Sequence, residues 1–194
     1  MSGHITGVQA RIREVSKWVI YFHCYAHRLN LVVVDCCKAV READHLFATL
    51  CRIHNFICGS YVHSAWLDLQ KVMYSTERPI ELKSLSDTRW ASQVAACNAV
   101  YQRFSCLMKL LENISNESSS DRACDAKSIL ALIDFKFVFC LLVFRQLLVH
   151  LSKVSDSLQS RSISMDVAFD LIKVLESNLT EMRSEEQCDS FIDS

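Results

Sequence analysis

Apolar residues recur at every third or fourth position along most of this chain. Ala43, Leu46, Phe47, Leu50, Ile53 and Ile57 form one such stripe, which ends near Gly59. That spacing puts them on one face of a helix, turned toward a core. Val62, Trp66, Leu69 and Met73 form a second stripe. Val94, Cys97, Tyr101, Phe104, Met108 and Leu111 form a third, predicting one long helix capped by Ser86 or Asp87. The stretch from Ile129 to Leu151 is apolar almost all round. It predicts a buried helix that Asp121 or Asp125 caps and that runs to about Leu158. Val167, Leu171, Val174, Leu175, Leu179 and Met182 make a last helix, followed by an acidic, frayed tail.

The first 40 residues read differently. Val8–Val15 predicts a short helix, and Leu29, Val32, Val33, Cys36, Cys37 and Val40 predict another from Ala26 onward. Between them "KWVIYFHC", Lys17 to Cys24, is β-branched and aromatic and reads as one buried strand. A strand cannot satisfy its own backbone, and no second strand is legible nearby. Its partners belong outside this chain or to segments that read otherwise. An open strand edge invites aggregation, so residues 41–185 are expected to fold better alone than the whole chain. Breaks fall at Ser75–Leu85, which holds the one proline, at Asn113–Ala123 and at Ser157–Asp166. The expected organisation is a piece with one strand and two helices over 1–40, then an all-helical domain over 41–194 with a linker near 113–123.

Composition agrees with a mainly helical fold. The chain has 194 residues, 51% of them hydrophobic, with one proline and three glycines. A β-sandwich or barrel needs turn residues about every 8–12 positions, and these are too few. Net charge is −1, from 21 basic and 22 acidic residues, so the broad basic footprint of a self-sufficient DNA-binding domain is missing. Ten cysteines without a legible secretory signal predict reduced thiols in cytosol or nucleus. The apolar stretch after Ile129 is not expected to enter a membrane. Asp134, Lys136 and Arg145 interrupt it, and a central charge costs roughly 2.5–3.5 kcal/mol on insertion scales.

Candidate chemistry is sparse. Cys24-x-x-His27 and Cys51-x-x-His54 have residue types that bind zinc, but the spacer is long and both pairs lie in apolar helical stripes. No metal site is assigned from them. No GxSxG, phosphate-binding glycine loop or HExxH is present. Asp35, Asp44, Asp68, Asp87 and Asp134 are scattered and form no metal-binding carboxylate set. One stretch stands apart, "SDTRWAS", Ser86 to Ser92. A helix N-terminus attracts phosphate, Arg89 adds a planar guanidinium, and Trp90 offers a face on which a base can stack. Trp90 also stands one turn before Val94, where it can simply begin the apolar stripe.

"HCYAHRLNLVVVD", His23 to Asp35, and "LKSLSDTRWAS", Leu82 to Ser92, resemble two signature blocks of hAT-superfamily DNA transposases. The likeness is greatest to the transposase-derived region of MYM-type zinc finger protein 1-like sequences. "MSGHITGVQARI", Met1 to Ile12, is similar to the tail of a third block. The resemblance implies an RNase H-like catalytic domain interrupted by a large helical insertion, which would explain a lone strand. It implies catalysis by Asp, Asp and Glu holding divalent ions, magnesium or manganese. None of the three maps onto a residue here, so the chain is expected to be inactive as an enzyme and to need no cofactor. It implies that Cys24 and His27 form a structural CxxH motif, not a zinc finger. It also implies that Trp90, beside Arg89, stacks on a base flipped out at a DNA hairpin or transposon end. Nuclear placement and protein partners or oligomers follow from the same likeness. Two alternatives stay open: a helical interaction module of a domesticated transposase, or part of a longer, active transposase.

Overall fold

The computed structural model describes residues 7–16, 18–20, 24–85, 90–117, 120–160 and 163–184, with backbone only for 90 and 91. Among them are nine helices: α1 (Val8–Val15), α2 (Tyr25–Ala39), α3 (Arg41–Ile57), α4 (Ser60–Met73), α5 (Trp90–Gln102), α6 (Phe104–Ser115), α7 (Asp121–Leu132), α8 (Phe135–Leu158) and α9 (Met165–Glu181). No strand occurs among the described residues. The protein is mainly α, as its stripes predict.

Two helices organise the packing. Helix α3 lies against α2, α4, α5, α7 and α8, and α8 lies against α2, α3, α5 and α9. The α3 stripe is buried where the spacing places it, through Ala43, Leu46, Leu50, Ile53 and Ile57. From α8, Phe137, Leu141, Leu148, Leu151 and Leu158 enter the same core. Helix α8 is long and apolar enough to cross a membrane by length and composition, and 28% of its apolar window is buried within the protein. Deep burial leaves the core thiols protonated. It pushes Cys97 up to about 12, and Cys37 and Cys106 to about 11.

Three expectations need correction. The long helix drawn through Val94 and Leu111 is two helices, α5 and α6, broken at Arg103, whose backbone (φ −118°, ψ 25°) leaves the helical region. The apolar helix drawn from Asp121 or Asp125 to Leu158 is also two, α7 and α8. Ser120 caps α7 by accepting from the Ala123 N–H at 3.2 Å, and Asp134 caps α8 by accepting from the Phe137 N–H at 2.8 Å. Asp134 therefore starts a helix instead of sitting inside one. A short polar side chain competes with the helix backbone for hydrogen bonds, and here it wins. The linker expected over 113–123 narrows accordingly, because α6 continues to Ser115.

The strand drawn over Lys17–Cys24 is the third. Lys17 and Tyr21 to His23 lie outside the described residues. Of the rest, Trp18 is in a turn closed by the Val19 N–H to Ser16 carbonyl bond, and Val19 and Ile20 carry no ladder. Trp18 is 93% exposed and Ile20 74%. A strand forms only against a neighbour that takes up its N–H and C=O groups, and no described segment offers one.

Helix α2 belongs to the helical core. Ala26 and Cys37 are buried in it, and Leu29, Val33 and Val34 pack on it. That moves the useful truncation point. Removing residues 1–23 should leave the thermal midpoint nearly unchanged and reduce aggregation. Removing residues 1–40 should lower the midpoint by roughly 10 °C, since a packed helix is lost. Differential scanning calorimetry with light scattering on both truncations checks this.

Candidate functional site

The best-built polar arrangement lies under the loop that leads to Arg89 and Trp90. It begins on α4, where Trp66, Gln70 and Tyr74 follow one another at helical spacing. Trp66 and Gln70 are both about 1% exposed. The Trp66 indole N–H donates to the Ile80 carbonyl at 3.0 Å. The Gln70 amide binds both backbone groups of Ile80. Its Nε2 donates to the carbonyl at 3.2 Å and its Oε1 accepts from the N–H at 2.8 Å. The Gln70 amide thus stands in for a neighbouring backbone beside the loop.

Arg103 closes the arrangement from the α5–α6 break. It is 4% exposed. Its Nε donates to Gln70 Oε1 at 3.1 Å, and one terminal nitrogen donates to Glu77 Oε2 at 2.7 Å. The same nitrogen reaches the Arg78 carbonyl at 3.4 Å, and the guanidinium carbon lies 4.2 Å from the centre of the Tyr74 ring. A buried charge is tolerated only when paired and hydrogen-bonded, and Arg103 is both. Further along the loop, His63 Nε2 meets Glu81 Oε2 at 2.9 Å. Leu82 and Leu85 then pack on the core. Residues 74–85 are held at several points, and in sequence they precede the Arg89–Trp90 block.

Arg89, and the Ser86 and Asp87 expected to cap the helix, lie outside the described residues. Trp90 is the first described residue of α5. Cys24 immediately precedes α2, and His27 is in its first turn. Both are exposed, on either side of the buried Ala26. Among the described residues no three His, Cys, Asp or Glu side chains gather where they could hold one ion. The two Cys-x-x-His pairs are therefore not brought together as one zinc site. No protein-family model matches the chain, and no solved structure matches it significantly.

Sequence reading missed Gln70 and Arg103. A signal was there. Gln70 is one turn after Trp66 in an apolar stripe, and Arg103 falls three residues after Val100 and four before Leu107, at the core phase. A charged or amide side chain at a buried phase implies a partner elsewhere, but the spacing does not say where that partner is.

Proposed function

We propose that this chain derives from an hAT-type DNA transposase. In that reading residues 1–40 are a piece of an RNase H-like domain and the rest is its helical insertion domain. The exposed Trp18 and Ile20 support the missing-sheet part, because apolar side chains that would line a sheet face solvent here. Its retained capacity is contact with a DNA hairpin or transposon end, in the nucleus, through Arg89 and Trp90. What supports this is the clamped loop over residues 74–85, which precedes that block in sequence. A helix N-terminus has about half a positive charge and free N–H groups for a phosphate. Arg89 would add a bidentate phosphate contact, and Trp90 would stack on an unpaired base. With none of the three family carboxylates matched, no strand cleavage and no divalent cofactor is assigned to these residues.

The test is binding of hairpin-ended DNA by the full chain. Trp90→Ala should weaken it by roughly 5- to 100-fold, the value of one stacked base. Arg89→Ala should weaken it and make it less salt-dependent. Equal binding by wild type and Trp90→Ala would sink the stacking role.

A second reading has its own support. Helix α9 exposes Met165, Val167, Phe169 and Val174 while burying Ala168 and Leu175. Such a surface suits a protein partner or an oligomer, the role of a helical interaction module. Co-sedimentation with no DNA affinity would favour it.

A further inference from the structure

Helices α2 and α9 each leave an apolar stripe uncovered, and the stripes adjoin. On α9, Met165, Phe169 and Ile172 share one face and are exposed. On α2, Tyr25 and Val32 are exposed seven residues apart, with half-buried Leu29 between them. The Tyr25 hydroxyl donates to Met165 Sδ at 3.4 Å, so the stripes meet at their first residues. Both helices pack on α8. Helix α9 returns along α8 after a short connection. Helix α2 runs the same way, handing over to Arg41 and Glu42, which share a cavity with Asp134 and Lys136 at the start of α8. The two stripes therefore lie side by side in one orientation.

Beside each stripe runs a row of charges. On α2 the row is Arg28, Asp35 and Lys38, and on α9 it is Asp166, Lys173 and Glu176. The spacings are identical, seven residues and then three, and every sign is reversed. Those spacings keep each row on one side of its helix. Among the described residues none of the six joins an ion pair. A two-fold axis lying between the helices and along them sets each α2 on the other copy's α9, with the starts of all four helices together. Arg28 then meets Asp166, Asp35 meets Lys173 and Lys38 meets Glu176, each pair twice over, while the apolar stripes close against each other.

We infer that this face binds a second copy of the chain, as a weak two-fold dimer built from α2 and α9. The pairing presupposes the interaction-module reading of α9 and gives that surface its occupant. Adjoining helices of 15 and 17 residues offer a face on the order of 500 Å². A standard interface takes about 800 Å² per partner, so association is weak and reversible. Salt screens the charged rows, so the dimer loosens as ionic strength rises.

Sedimentation equilibrium of the reduced full chain across a wide concentration range tests this. The mean mass should climb from 22.2 kDa toward twice that value. Phe169→Glu should weaken the dimer about tenfold or more, the effect of losing a buried aromatic anchor. Arg28→Glu with Lys38→Glu should weaken it, and so should Asp166→Lys with Glu176→Lys, because like charges then face each other. Mixing those two double variants should restore dimers, since every row again meets its opposite. Trp18→Glu, at an exposed tryptophan of neither helix, should behave as wild type. Far-UV circular dichroism confirms that each surface variant stays folded. A monomer at every concentration overturns the second copy as occupant and leaves α9 to a different protein. Dimers that Phe169→Glu does not weaken overturn the interaction reading of α9 as well. Double variants whose mixture stays monomeric overturn the pairing of α2 with α9.

Discussion

Trp66→Ala should destabilise the protein by about 3–5 kcal/mol, read as a lower urea midpoint with an unchanged slope. The indole is almost fully buried on α4, which packs against α6, and truncation leaves a large cavity that neighbouring helices fill only in part. It also removes the bond to the Ile80 carbonyl, so residues 74–85 lose one of their anchors. Against a typical total of about 5–15 kcal/mol, that is enough to leave the variant marginal. Trp66→Phe separates the two effects. It keeps most of the ring volume and should lose about 1–2 kcal/mol, mainly the hydrogen bond. Limited proteolysis gives an independent reading: cleavage should rise first within the 74–85 loop. A Trp66→Ala midpoint within error of wild type would mean that the indole is not core.

Arg103→Ala should cost about 3 kcal/mol by the same measurement. The mechanism differs, because what is lost is a set of directed contacts. Arg103 ties Gln70, Glu77, the Arg78 carbonyl and the Tyr74 ring to the junction of α5 and α6. Glu77 is 56% exposed, so water can replace its half of the ion pair. That places the cost at the low end for breaking a buried pair. Arg103→Met restores the volume without the charge, and it should recover part of the loss through packing alone. If Arg103→Met is as stable as wild type, the hydrogen bonds contribute nothing net and the clamp is only a packing contact. Loop order and DNA affinity in Arg103→Met then separate stability from presentation of the Arg89–Trp90 block.

Trp66 and Arg103 differ in how plainly the chain alone reveals them. Trp66 was visible, as an aromatic in a stripe with Val62 and Leu69. Arg103 was not, since the stripe through Tyr101 and Phe104 passes over it. The candidate ligands behave alike. The two Cys-x-x-His pairs are conspicuous as text, yet Cys51 contacts Asn55, and the Cys58 sulfur one turn after His54 lies against its ring. A motif records spacing along the chain, whereas helix geometry joins residues four apart.

Periodicity by itself determined that this chain is mainly helical. It located α1, α2, α3, α4 and α9 closely, and it placed the buried face of α3 and, through Val62 and Trp66, part of that of α4, where Met73 is exposed. Local physics suffices there, since a 3.6-residue repeat buries one face whatever lies opposite. The tertiary structure alone decided where the two longest apolar runs break, at Arg103 and at Asp134, because a break depends on what a polar side chain finds to bond. It decided that α2 joins the core. It also decided that Gln70 and Arg103, 33 residues apart, share one hydrogen bond. A polar group can be buried only where its partner is already waiting, and that meeting is a property of the packed molecule.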